Sequence, residues 1–163
     1  MIIKLSAGLL LFLLVPVVAE DEERPVATTA AMNPAKTAGN MKMLPGFKIE
    51  SIVGEPEITQ PIAFTMDDRG RLWVLECTNY PNSPGEPKDR IIVLEDADGD
   101  GAFEKKSVFW DKAHFSSGIA VGFGGVWLGS PPNLLFIPDG NDDLVPDKDP
   151  EIVLDGWGAE DTH

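Results

Sequence analysis

The chain has one cysteine, Cys77, in 163 residues. A single thiol excludes an internal disulfide. No Cys-x-x-Cys-His occurs, so this stretch has no attachment site for a c-type haem. Positive charge is scarce as well: 13 Lys and Arg stand against 27 Asp and Glu, a formal net charge of −14. Nucleic acid needs clustered cations against its phosphates, and this balance argues against it as a partner. Also missing are a Gly-x-Ser-x-Gly elbow, a Walker-type phosphate loop and any zinc-spaced Cys/His cluster. No stretch carries a 3.6-residue apolar period with caps, so little helix is expected.

The N-terminus reads as an export signal. Lys4 supplies a positive n-region, and Leu9-Leu10-Leu11-Phe12-Leu13-Leu14-Val15 an apolar h-region. Small residues through Ala19 then precede Glu20-Asp21-Glu22-Glu23. The apolar run is short for a membrane span. A membrane contact therefore requires that the signal stay uncleaved, and no Cys near the cleavage point offers a lipid attachment site. Residues 1–19 are assigned to the signal. Residues 20–43, rich in Ala, Thr, Pro and charge, are read as a flexible linker. The acidic excess suits an exported soluble chain and also metal-ligand carboxylates.

From Leu44-Pro45-Gly46-Phe47 onward, short apolar runs alternate with Gly, Pro, Asp and Asn clusters, the pattern of an all-β protein. Strands are expected over 47–53, 62–66, 72–76 and 90–94. A second set is expected over 106–110, 119–123, 126–129 and 134–137, with 151–154 opening a third. The sets repeat one plan. Gly70-Arg71-Leu72-Trp73-Val74-Leu75 matches Gly124-Gly125-Val126-Trp127-Leu128-Gly129 at an offset of 127 − 73 = 54. Ile92-Val93-Leu94-Glu95-Asp96 matches Leu135-Phe136-Ile137-Pro138-Asp139 at 139 − 96 = 43. Four-strand units at this spacing mark a β-propeller. About two blades and the start of a third do not close a ring of roughly four to eight. The expectation is therefore the N-terminal part, 44–163, of a longer propeller.

The sharpest motif is Asp96-Ala97-Asp98-Gly99-Asp100-Gly101-Ala102-Phe103-Glu104. Asp96, Asp98, Asp100 and Glu104 occupy positions 1, 3, 5 and 9, with Gly101 at 6, the oxygen-rich turn that calcium prefers. Position 12 is Ser107 and no helices flank the loop, which excludes an EF-hand. The loop is more similar to the calcium hairpins of integrin α-chain propellers. The competing reading is a solvated acidic turn. Asp139, Asn141, Asp143 and Asp147 repeat the spacing, with Leu144 at position 6. Ions at either loop would be structural. Trp73 and Trp127 are expected to pack blade on blade, and Cys77 to be a small buried hydrophobe. Glu76 is either a funnel-facing group or a plain strand end. Asn79-Tyr80-Pro81 is a turn or a funnel lip, and His114 is expected in an exposed loop.

Taken in order, Leu44-Pro45-Gly46-Phe47-Lys48-Ile49-Glu50, Gly70 to Glu76, Asn79-Tyr80-Pro81, Leu94 to Gly101 and Glu160-Asp161-Thr162-His163 resemble the PVC-type membrane-bound dehydrogenase N-terminal domain. That group is similar to the glucose/sorbosone dehydrogenase propellers, which use pyrroloquinoline quinone. The resemblance implies a six-bladed propeller in the periplasm or at the cell surface, acting on a small sugar or alcohol. It implies a downstream cytochrome c domain in longer members. It also implies a histidine general base that removes the hydroxyl proton as hydride passes to the quinone. In the family a second His follows Asp-Thr-His and aligns with that base, so His163 is its neighbour. Two other classes stand beside this reading. One is a non-catalytic, calcium-stabilised propeller for carbohydrate or cell-surface binding. The other is a gluconolactonase-type metal hydrolase, for which no clear Glu, Asn and Asp set is present. The signal reading has a direct check: N-terminal sequencing of the exported chain is expected to begin at Glu20, and a sequence beginning at Met1 would favour an anchor.

Overall fold

The computed structural model describes residues 32–78, 80 and 88–158. Among the described residues, eight strands and one short helix make up the regular structure. Strands β1 (Pro61–Met66), β2 (Leu72–Glu76), β3 (Asp89–Glu95) and β4 (Lys105–Ala113) form one antiparallel sheet in that order. Strands β5 (Gly118–Val121), β6 (Gly125–Ser130), β7 (Asn133–Pro138) and β8 (Glu151–Leu154) form the second. Each sheet is a simple meander, and together they are two propeller blades. No described helix is long and apolar enough to cross a membrane.

Three expectations need correction. Residues 47–53 alternate like a strand but pair with none, so they run as an extended segment. Residues 151–154 do not open a third blade; they hydrogen-bond to β7 as the outer strand of the second. The blade phase is thus shifted by one strand. Helix α1 (Pro34–Asn40) falls within the stretch read as linker. Its cause was legible: the Asn33 side chain accepts from Ala35 N, and Pro34 sits in the first turn, where its missing N–H costs nothing.

A four-stranded sheet has two faces, and each must be covered. The face of blade 1 that carries Trp73, Leu75, Ile91 and Val93 packs against Val126, Leu128 and Ile137 of blade 2. Trp73 is 1% exposed, and the ring of Phe109 meets it edge-on at 5.1 Å. The opposite face presents Leu72, Val74, Ile92 and Leu94, covered in part by Val53 from the extended segment, by Ile58 from the turn that follows it and by Phe103. That segment is held down at its end. Thr59 N donates to Glu76 Oε1 at 2.7 Å, Cys77 N donates to Gln60 O at 3.1 Å, and Lys106 Nζ donates to Glu57 O.

A buried ion pair fastens the two blades at one end of the seam. The β1–β2 turn folds on Asp67, whose carboxylate accepts from Arg69 N, Arg71 N and Trp73 Nε1. Arg71 Nε donates to Asp67 at 2.5 Å, and its Nη2 reaches across to Asp142 of blade 2 at 2.5 Å. Burial alone would raise the Asp67 pKa, but the hydrogen bonds from Trp73 and Arg71 and the Arg71 charge hold it below the usual carboxylate range. Burial likewise works against the Arg71 charge, while Asp142 and Asp67 outweigh it and raise the guanidinium pKa.

Arg71→Met should leave buried Asp67 without its cation and Asp142 with Arg69 alone, and cost about 2–4 kcal/mol of folding stability at neutral pH. Because the folded-state pKa of Asp67 is depressed, its contribution is present above the unfolded value of roughly 4 and is lost as pH falls through the folded value. Wild-type and variant unfolding curves, followed by denaturant titration, are therefore expected to converge as the solution is acidified. A constant gap down to the acid limit would show that Arg71 acts through packing alone.

Candidate functional site

The meander separates the connections into two ends. The turn end carries the β1–β2, β3–β4, β5–β6 and β7–β8 connections. The loop end carries β2–β3, β4–β5 and β6–β7.

At the turn end, residues 96–104 are folded by their own carboxylates. Asp96 Oδ1 accepts from Gly99 N at 2.7 Å, and its Oδ2 from Gly101 N at 2.9 Å. Asp98 accepts from Asp100 N, Asp100 from Ala102 N, and Glu104 from Ala97 N. Gly101 takes φ +94°, open to glycine and strained for residues with a Cβ. The outcome is convergence: Asp96, Asp98, Asp100 and Glu104 each bring one oxygen within 4.8 Å of the others. Four like charges so close repel until a cation joins them. Hard oxygen donors in an irregular turn fit calcium better than a softer metal.

The second copy repeats much of this hydrogen bonding. Asp139 accepts from Asp143 N at 3.1 Å and Leu144 N at 3.2 Å, and Asp147 Oδ2 accepts from Gly140 N at 2.7 Å. Asn141 Nδ2 donates to Asp143 at 2.9 Å. Leu144 sits at φ +66°, where the first loop has Gly101. Burial pushes the Asp139 carboxyl up, the amides of Leu144 and Asp143 oppose this, and the Asp143 and Asp142 charges add to it. Among the described residues, the acids of this loop form no converging group like that of the first. Its side chains cap backbone, and its Asp142 grips Arg71 and Arg69.

Between the turns of the two blades lies an open cleft of about 450 Å³. One wall is the β1–β2 turn with Asp67 and Arg71, and the other the glycine-rich β5–β6 turn and the start of residues 139–147.

At the loop end, Glu76 is 0% exposed. It is neither a funnel group nor an open strand end: its Oε2 pairs with Arg90 Nε at 2.6 Å while Oε1 holds Thr59 N. Cys77 is buried as expected, and burial together with the neighbouring Asp89 charge pushes its thiol up to about 11. A thiol so protected is not a nucleophile at neutral pH. Asp89, fully buried, accepts from Ser116 N at 2.9 Å. Ser130 Oγ donates to His114 O at 2.6 Å. His114 corrects its expectation. It is half-buried against Phe115, with a buried Nδ1 that has no hydrogen-bond partner among the described residues. Trp127 also differs from Trp73. It stays half-buried beside Phe136 and donates to Gly122 O at 3.3 Å. Asn79, Pro81 and His163 lie outside the described residues, while Tyr80 is partly exposed.

Arg71, Asp67, Asp142 and Asp89 were not singled out from sequence. The Asp67-x-x-x-Arg71 spacing across a turn was a usable signal for the first two. Asp142 lies 71 residues from Arg71 and Ser116 lies 27 from Asp89, and nothing local announces either contact.

None of the curated proteins compared with the chain matches it. Among solved structures, the PQQ-bound form of an aldose sugar dehydrogenase from Streptomyces coelicolor is similar over 59% of this chain, with 22% identity and a TM-score of 0.38. The matched part is 30% of that enzyme's chain. The blade assignment rests on strand order and register, which the present structure supplies. A family described as a domain of unknown function, DUF7133, matches residues 33–163, and the chain belongs to that family.

Proposed function

We propose that this chain is the blade-forming N-terminal part of an exported quinoprotein-type dehydrogenase for sugars or alcohols. A structural calcium ion would be held by Asp96, Asp98, Asp100 and Glu104. One observation carries the reading: two of the motifs that resemble the PVC-type dehydrogenase domain fall together on the strands of the first blade. Gly70 to Glu76 runs into and along β2, and Leu94 to Gly101 is the β3–β4 hairpin. The solved aldose sugar dehydrogenase binds pyrroloquinoline quinone, which is consistent with the same assignment.

The calcium quartet fits its ion by donor type and by convergence. Of the described residues at the loop end, Arg90 is paired with buried Glu76 and would not be the cation that holds a quinone's carboxylates. In this reading His163 would be the neighbour of the general base. A second reading follows from the same observation. A calcium-stabilised propeller that binds carbohydrate without turnover needs only the converging hairpin and the stacked blades.

Calcium is expected to raise the thermal midpoint of the protein, and Asp98→Ala to remove most of that gain. Titration calorimetry that detected no calcium binding in folded protein would leave 96–104 as an acidic turn. For the activity, the complete gene product loaded with quinone and calcium should reduce a dye acceptor with some sugar or alcohol. Residues 1–163 alone should not. Inactivity of the folded, quinone-loaded protein across a broad panel would transfer the assignment to the binding propeller.

A further inference from the structure

The cleft between the blades sits at the turn end, away from the loop end, and nothing in the redox reading uses it. Its rim has one feature that folding does not explain. The β5–β6 hairpin turns through Phe123 and Gly124, at φ +58° and +75°, closed by Gly122 N donating to Gly125 O at 2.9 Å. Positive φ at both central positions is the type I′ requirement, which Asn-Gly meets and a bulky residue resists. Phe123 is therefore unfavourable for its turn. It also contributes nothing to the core, being 96% exposed. Backbone strain and an exposed aromatic at the lip of a cavity together point to a ligand.

The rest of the cleft decides which kind. Its volume of about 450 Å³ is within the range of small-molecule sites. Asp67, Asp68, Asp139 and Asp142 line it, with Arg71 as the lining cation, and Arg71 is bound to two of them. An anion would meet excess negative charge. A cation would compete at Asp142 with Arg69 and Arg71 already in place. A neutral ligand with many hydroxyls meets neither obstacle, because a carboxylate engaged by arginine still has lone pairs for O–H donors. Glycine at 122 and 124 leaves one wall without side chains; a Cβ built on Gly122 meets nothing within 4 Å. The Phe123 ring supplies an apolar surface for the C–H face of a pyranose.

We propose that this inter-blade cleft binds a neutral saccharide, with Phe123 as its stacking platform and the Asp67–Arg71–Asp142 network as its hydroxyl-binding wall. The site is separate from any oxidation at the loop end, and it stands whether or not the protein is a dehydrogenase.

The test uses the whole protein, isotope-labelled, with methyl glucoside, xylose and cellobiose as probes at millimolar concentration. At least one should shift the amide signals of Gly122, Gly124 and Gly140 and the Trp73 indole N–H, leaving those of Asp89 and Ser116 in place. Phe123→Asn separates ligand binding from folding, since Asn suits a type I′ turn. It should keep or raise the thermal midpoint yet weaken the bound sugar about tenfold or more. Asp68→Asn, away from the salt-bridge network, should weaken it without unfolding. The proposal is overturned if no probe shifts the cleft amides, if the shifts map to the loop end instead, or if Phe123→Asn binds as well as wild type. Displacement of the sugar by spermidine at equal concentration would also overturn it, by showing a cation site.

Discussion

Everything in this chain depends on burying the Trp73 face of the first blade. A meander of four strands has no interior of its own, and its two faces are stabilised only by what covers them. Trp73, Leu75, Ile91 and Val93 are covered by Val126, Leu128 and Ile137, and the resulting core spans both sheets. The polar devices follow from that packing. Arg71 and Asp142 meet only because the sheets lie face to face, and their meeting fixes the turns that wall the cleft. Removing charges from water at this seam is tolerable because Asp67 accepts from Arg71 and Trp73 and is left with no unpaired burden.

The repeat carries this logic position by position. The aliphatic quartet Leu72, Val74, Ile92 and Leu94 corresponds, at offsets of 54 and 43, to Val126, Leu128, Leu135 and Ile137. In blade 2 those positions receive the face of blade 1. In blade 1 they receive Val53 of the extended segment and Ile58 of the turn after it instead. Likewise Trp73, Leu75, Ile91 and Val93 correspond to Trp127, Gly129, Leu134 and Phe136. The first set is fully buried, whereas the second is only partly so. One residue pattern thus yields two burial states, and the difference is the neighbour rather than the sequence.

That explains what could be read without coordinates. Strands β2 and β8 were legible to the residue, and all eight strands lay within a few positions of their expected bounds, because alternation and Gly punctuation are local signals. Phase was not local. The β4–β5 connection, residues 114–117, is shorter than the β7–β8 connection, residues 139–150, so sequence proximity grouped strands that belong to different blades. Residues 47–53 have strand-like alternation and no strand beside them, and alternation cannot report a missing partner. The first acidic loop was legible because its carboxylates fold the turn they belong to. The second keeps the spacing and the same amide caps, with Leu144 at φ +66° in the place of the glycine, and among the described residues its acids do not converge as the first loop's do.

The acidity of the chain takes on a different meaning in the two blades. In the first, four acids of the loop bring their oxygens together. In the second, Asp139 is buried and capped by backbone amides, and Asp142, which lies between the spaced positions, is answered by two arginines from the neighbouring blade. Those pairs tie the turn of one blade to the turn of the next and form a polar wall of the cleft. A cleft walled by four aspartates and one arginine keeps many lone pairs for O–H donors, so in the proposed role it would select by hydroxyl pattern and shape.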